Sequence, residues 1–170
     1  MLNIFKNNNE KYESRAEILL PTIKQAAISA YSSILDNFSL LKNVQYKDWE
    51  FFFSIAAAYI ATIGMDRAKL DDTMKSKLSN SYGVALDEIF PEWAIAFKDC
   101  GEFFWKTTES LQSSNDARYI KSPELFVTEP IGCWLIINVI GHWPENEEER
   151  KLVTIVGGLI CSEFIDWWKD

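Results

Sequence analysis

The sequence predicts an all-α protein, a single-domain helical bundle of about six or seven helices. Apolar residues recur at the helical period of 3.6 without the alternation of strands, and prolines and glycines divide this pattern into helix-length segments. A chain of 170 residues with 48% hydrophobic residues can bury one substantial core. We therefore expect one domain over residues 10–170, preceded by a loosely ordered tail at residues 1–9, because residues 3–11 are rich in Asn and Lys.

The first two helices differ in their apolar surface. Residues 16–35 carry apolar side chains on one face, with Pro21 as a kink or a new start. After a polar connection at residues 36–43, the second helix, about residues 47–63, is apolar on almost every side. Such a helix is typical of a bundle centre, and Gly64 is expected to end it.

A narrow face of the second helix carries small or polar side chains, namely Glu50, Ser54, Ala57 and Ala61. Small residues let a neighbouring helix approach closely, and we favour this interpretation. The alternative is that this face forms the floor of a ligand cleft.

The second half of the chain continues the helical pattern. A third helix is predicted at about residues 71–90, and Pro91 suits the first position of a fourth. After a loop at residues 110–115, Pro123 and Pro130 mark a short helix. An apolar segment at residues 131–143, the oily segment, is expected to form the next helix.

The final helix is predicted from Glu147 to Trp168. Asn146 is a suitable N-cap, and Glu149 can reach back to complete a capping box. Gly157 and Gly158 weaken the helix by only about 1 kcal/mol each, so we expect it to run through them.

The oily segment contains the single histidine of the chain, His142. In a helix, His142 would stand one turn after Asn138 on the same face, so we expect the two to form a polar pair that supports the fold. The alternative is a Cys-His-Asn nucleophilic arrangement with a thiol from another helix, for which no local signature exists.

The cysteine pattern indicates a reducing compartment. Cys100, Cys133 and Cys161 are odd in number, widely spaced and surrounded by apolar residues, which favours free thiols. No secretory signal is visible, and no apolar run reaches the ~18 residues of a membrane-spanning helix. We therefore expect a cytoplasmic protein that does not enter a membrane.

One carboxylate pattern suggests a metal site. Glu145, Glu148, Glu163 and Asp166 have a spacing that resembles the all-α nucleotide pyrophosphatases of the MazG type, in which paired acids hold magnesium. In this chain the two acid pairs lie near opposite ends of one helix about 33 Å long, too far apart to share an ion. We therefore predict no catalytic residue, metal site or cofactor.

The charge distribution points to a basic partner. The net charge is −8, and residues 123–170 contain nine acidic against three basic residues. This balance disfavours nucleic acid binding and favours a basic protein. In size and charge the chain resembles small acidic immunity and antitoxin proteins, which implies an inhibitor of a basic partner. The oligomeric state stays open.

The predicted partner surface lies at the end of the last helix. Acidic residues there adjoin two tryptophans, a combination that can supply both buried area and charge at an interface. The predicted partner-binding residues are Glu163, Asp166, Trp167, Trp168 and Asp170.

The alternative function is a carboxylate-based metal-dependent hydrolase or small-ligand binder. Its site would lie in the bundle interior and would use acids such as Glu50, Glu88, Glu163 and Asp166.

Overall fold

The computed structural model describes residues 2–114 and 116–169, with side chains from residue 10 onward. This part of the chain contains seven α-helices and one 3₁₀ turn and no strand, which confirms the predicted all-α fold. The elements are α1 (Leu2–Leu35), the 3₁₀ turn (Ser39–Asn43), α2 (Tyr46–Arg67), α3 (Asp72–Ile89), α4 (Trp93–Gln112), α5 (Ala117–Lys121), α6 (Leu125–Ile140) and α7 (Glu147–Phe164).

One hydrophobic cluster draws buried side chains from every helix except the short α5. The backbone of residues 2–9 belongs to α1. The predicted division of the chain at residue 10, between a loosely ordered tail and the domain, stays a prediction.

Helix α2 packs against four other helices, α1, α4, α6 and α7. Two buried indoles tie its neighbours to it. Trp49 of α2 donates from Nε1 to the Ala27 carbonyl of α1 at 3.0 Å, and Trp168 donates to the Ala61 carbonyl of α2 at 2.6 Å. Because an unpaired N–H in the core is costly, these bonds fix the flanking segments on α2.

The small face of α2 is buried. Ser54, Ala57 and Ala61 are 0% exposed, as close helix packing requires. Glu50, at the margin, is half-buried and lies 3.9 Å from the Lys24 ammonium of α1.

The prediction that Gly64 ends the second helix is wrong, because α2 continues to Arg67. A Cβ on Gly64 would lie 2.5 Å from the Ile165 carbonyl oxygen. Glycine is therefore required here for the close approach of the C-terminal segment and not for helix termination.

The prediction that Pro130 separates two helices is also wrong, since it lies inside α6. Proline cannot donate to the carbonyl four residues before it, here that of Phe126. The Thr108 hydroxyl of α4 donates to this carbonyl at 3.2 Å. A tertiary contact thus replaces the missing helical bond.

Helices α6 and α7 approach each other more closely than side chains would allow. A Cβ on Gly132 would lie 2.1 Å from the Val153 carbonyl oxygen, and one on Gly157 would lie 1.9 Å from that of Thr128. Helix α7 runs unbroken through Gly157 and Gly158, as predicted. The glycines thus join α6 and α7 into a pair without interrupting either helix.

Candidate functional site

The structure corrects the predicted position of Trp168. Its side chain is 0% exposed and its indole is bonded to α2. The helix ends at Phe164, and the following turn directs this ring into the core. Trp168 is therefore a core residue and cannot form part of a contact surface.

The charge of Asp166 is compensated within the chain. Its carboxylate lies 2.8 Å from the Lys169 ammonium and 3.6 Å from Arg67 Nε. The hydrogen bond from Lys169 is the main cause of a pKa below the usual value for Asp166. A carboxylate already paired twice has less to offer a basic partner.

Trp167 is half-buried, and its carbonyl accepts from Arg15 of α1 at 3.1 Å. Arg15 also donates to the Lys169 carbonyl at 2.6 Å, so the C-terminal segment is fastened to α1. Asp170, the last of the predicted residues, lies outside the described residues. Most of the predicted partner-binding residues therefore make contacts within the fold.

Glu163 differs from the rest of the patch, because it is exposed and has no ion pair in the described part of the chain. It lines a groove between α1 and α7, two helices that both pack on α2. Phe53 of α2 contributes to the lining. We call this feature the α1–α7 groove.

The groove consists of two adjoining cavities of about 390 and 720 Å³, which share Ser33 and Leu159. Together their lining residues are Thr22, Gln25, Ala26, Ser29, Ala30, Ser33, Ile34, Asn37 and Phe38 from α1 and its end, Phe53 from α2, and Glu147, Glu148, Lys151, Ile155, Leu159 and Glu163 from α7. The cavities lie in the size range of binding sites.

The α1 flank of the groove is made of small and hydroxyl side chains. The Thr22 hydroxyl donates to the Ile18 carbonyl of its own helix at 2.8 Å, and the Gln25 amide lies 3.5 Å from the Ser29 hydroxyl. These bonds keep the Thr22 hydroxyl and one N–H of the Gln25 amide within α1, which lowers the cost of covering this flank with an apolar surface.

The α7 flank has an apolar centre and acidic ends. Ile155 and the 39% exposed Leu159 form the centre, with Glu148 near one end and Glu163 at the other. The two acids stand 15 positions apart, which is about 22 Å at 1.5 Å per residue. Lys151 is the single cation in the lining of this groove.

Sequence reasoning missed the α1 flank, although a signal was present. Thr22, Ser29 and Ser33 recur at helical spacing beside the buried face of α1. Such a stripe of small polar residues also suits plain solvent exposure. Only its position opposite α7 makes it one wall of a groove.

The predicted pairing of Asn138 and His142 is wrong. Helix α6 ends at Ile140 because Gly141 adopts the left-handed conformation, with φ of 83°. Asn138 donates to the Trp134 carbonyl, and His142 Nδ1 lies 2.8 Å from the Trp143 carbonyl. The turn at Gly141 carries His142 off the face that holds Asn138.

The N-terminus of α7 is capped in the manner of a capping box, with the carboxylate of Glu149 bonded one residue before the N-cap. Asn146 accepts from the Glu149 backbone N–H at 2.9 Å, while the Glu149 carboxylate accepts from the Glu145 N–H at 2.7 Å. This backbone bond is the main cause of a pKa below the usual value for Glu149. His142 Nε2 lies 4.0 Å from the same carboxylate.

The three cysteines are free thiols, as predicted. Burial raises the pKa of Cys100 well above its usual value, that of Cys133 to about 11 and that of Cys161 to about 12. At neutral pH all three are protonated and therefore poor nucleophiles.

The acids of the alternative function do not meet in the interior. Glu88, Glu163 and Asp166 are exposed, and Glu50 lies at the margin of the core. Within residues 2–114 and 116–169, no group of three or more His, Cys, Asp or Glu side chains is arranged to hold a metal ion.

Comparisons of the chain with protein-family models, with curated proteins and with solved structures found no match. None of the described helices combines the length and apolar content that crossing a bilayer requires.

Proposed function

We propose that this protein is a cytoplasmic protein-binding module that holds a basic amphipathic helix of its partner in the α1–α7 groove. The observation that carries the proposal is the apolar centre at Ile155 and Leu159, which lies between acids at both ends that form no ion pair with any described residue. Recognition of a helix in a groove uses this combination of apolar anchors and end charges.

The dimensions support a helical occupant. The distance of about 22 Å between Glu148 and Glu163 corresponds to four helical turns. A partner helix of that length would place apolar residues, spaced three and four apart, on Leu159 and Ile155. Its Lys or Arg residues would then reach Glu163 at one end and the acids near Glu148 at the other.

The charge of the whole chain supports a basic partner. A net charge of −8 repels phosphate backbones and attracts cationic surfaces. Long-range attraction raises the association rate, while the groove residues set the specificity. Occupying a functional helix of a basic protein would inhibit it, which is the immunity- or antitoxin-like role expected from size and charge. The three free thiols support a reducing cytoplasm.

A designed peptide tests the groove directly. The probe is an 18-residue helix with leucines at helical spacing and two arginines near each end, and its binding is followed by fluorescence anisotropy. Changing Glu147, Glu148 and Glu163 together to Lys should weaken binding about 10- to 150-fold, because three exposed pairs contribute about 0.5–1 kcal/mol each. Leu159→Gln should weaken it independently of salt.

The matched control changes Glu17, Glu88 and Glu109 to Lys. These three exposed acids lie outside the groove and give the same change in net charge. The control should keep most of the affinity. Equal losses in both triple variants would mean that only bulk charge matters. Unchanged binding in the groove variants would place the binding face elsewhere.

A further inference from the structure

A second concave site lies on another side of the molecule, where α4, α5, α6 and α7 meet the loop between α6 and α7. Its cavity has a volume of about 290 Å³. The side chains that matter for its chemistry are Leu111, Arg118, Glu129, Cys133, Trp143 and Arg150. We call it the Arg150 pocket.

On one wall of the Arg150 pocket the charges are paired. Arg118 lies 2.8 Å from the Asp116 carboxylate and 3.3 Å from that of Glu129. The Tyr119 hydroxyl also hydrogen-bonds to Glu129. Glu129 is held by these two contacts, but it shares the single charge of Arg118 with Asp116, so this wall keeps a negative charge and an anionic ligand has to be held on the Arg150 side.

On the opposite wall the charge is uncompensated. The Arg150 guanidinium donates to the Glu145 carbonyl at 3.3 Å, and no carboxylate of the described chain lies within ion-pair distance of it. Guanidinium has five N–H donors in a planar fork that matches a carboxylate. Arg150 therefore gives this pocket a positive wall in a protein of net charge −8.

The remaining surface of the pocket is mostly apolar, with Thr107 and Thr154 as its polar members. The Trp143 ring is 61% exposed and lies against Phe103, with 5.7 Å between ring centroids. Leu111 also lines the cavity, and Cys133, whose pKa is raised by burial, contributes a neutral thiol. The contact between the Trp143 carbonyl and His142 Nδ1 at 2.8 Å fixes the backbone beside the ring.

We propose that the Arg150 pocket binds a small aromatic carboxylate. Arg150 holds the carboxylate in a bidentate pair, and the aromatic body of the ligand packs against Trp143 and Leu111. A cavity of about 290 Å³ is at the lower end of ligand sites, which limits the ligand to on the order of 10–15 non-hydrogen atoms. The proposal does not depend on occupancy of the α1–α7 groove.

The probe is 3-phenylpropionate, compared with its neutral isostere 3-phenylpropanamide. Binding is measured by calorimetry and by the indole N–H resonances in ¹H–¹⁵N NMR spectra. The carboxylate should bind at least 10-fold more tightly than the amide and should shift the Trp143 indole resonance. Equal binding of the two probes, or no binding at millimolar concentration, would overturn the proposal.

Two variants separate the parts of the pocket. Arg150→Gln should lower the affinity for the carboxylate about 10-fold and abolish its advantage over the amide. Trp143→Leu should weaken both probes by a similar factor. The matched control is Lys151→Gln, which removes the same charge from the next residue of α7 but lies on the α1–α7 groove.

Arg150 and Lys151 are both exposed, so both variants should fold, which circular dichroism will verify. Equal effects of Arg150→Gln and Lys151→Gln would overturn the assignment of Arg150. The groove variant with Glu147, Glu148 and Glu163 changed to Lys should bind 3-phenylpropionate at least as well as the wild type. That measurement distinguishes failure of this proposal from failure of the peptide-binding function.

Discussion

Replacing Gly157 by Ala tests the close crossing of α6 and α7. The added Cβ would lie 1.9 Å from the Thr128 carbonyl oxygen, whereas ordinary contacts begin at 3.4 Å. The obstructing atom belongs to the backbone, so no side-chain rotation relieves the clash. The two helices must therefore separate by about 1.5 Å, the difference between these distances.

The size of the effect follows from two opposing terms. A gap of 0.5–1 Å already removes about a quarter to a half of a packing contact's energy, so the cost should reach the upper range for overpacking, about 3 kcal/mol. Replacing Gly by Ala within a helix returns about 1 kcal/mol. The expected net loss in the free energy of unfolding is about 2 kcal/mol.

The neighbouring Gly158 provides the control, since a Cβ there meets nothing within 4 Å. Gly158→Ala should gain up to about 1 kcal/mol. Urea unfolding followed at 222 nm should thus separate the two variants by about 3 kcal/mol, and their melting temperatures by about 6–12 °C. If Gly157→Ala proved as stable as Gly158→Ala, the α6–α7 crossing described above would be incorrect.

Two further predictions concern individual hydrogen bonds of the fold. Trp168→Phe removes the buried donor to the Ala61 carbonyl and should lower the free energy of unfolding in guanidinium by about 1–2 kcal/mol. The control is Trp105→Phe, at a ring that is 58% exposed, which should change stability by less than about 0.5 kcal/mol. Equal losses in the two variants would contradict a buried Trp168. Glu149→Gln should destabilise the protein at neutral pH, because folding lowers the pKa of Glu149. The difference in stability between wild type and variant should be present above the pKa of Glu149 in the unfolded chain. It should disappear as the pH falls through the pKa of Glu149 in the folded protein. Thermal melts of both proteins from about pH 7 to pH 3 measure it, with the exposed Glu148→Gln as control, and a difference that stays constant with pH would count against the capping role.

Local signals were reliable where neighbouring residues decide the outcome. Asn146 and Glu149 form the expected cap because both partners lie within one helical turn. Gly141, whose left-handed conformation ends α6, is also a local signal. Its position before His142 and Pro144 is a helix-stop signal that the sequence contains, and reading it would have separated His142 from Asn138.

Distant contacts explain the boundaries that were predicted wrongly. Pro130 stays within α6 because Thr108 of α4 satisfies the carbonyl that proline leaves free. Gly64 is a glycine because the Ile165 carbonyl passes too close to α2 for a side chain, and not because the helix ends there. In both cases the deciding partner lies more than 20 residues away, so no local pattern could have indicated it.

The sequence by itself determined the all-α class, the continuous last helix and the acidic character of the C-terminal third, since periodicity, capping and composition are properties of the chain alone. The tertiary structure decided which of those acids remain available. Asp166 is paired with Arg67 and Lys169, whereas Glu163 faces a groove whose other wall is formed by α1, more than 120 residues earlier in the sequence. The physical reason is that α1 and α7 become neighbours only by packing on α2, and a helical period specifies a face without specifying which distant helix lies across from it.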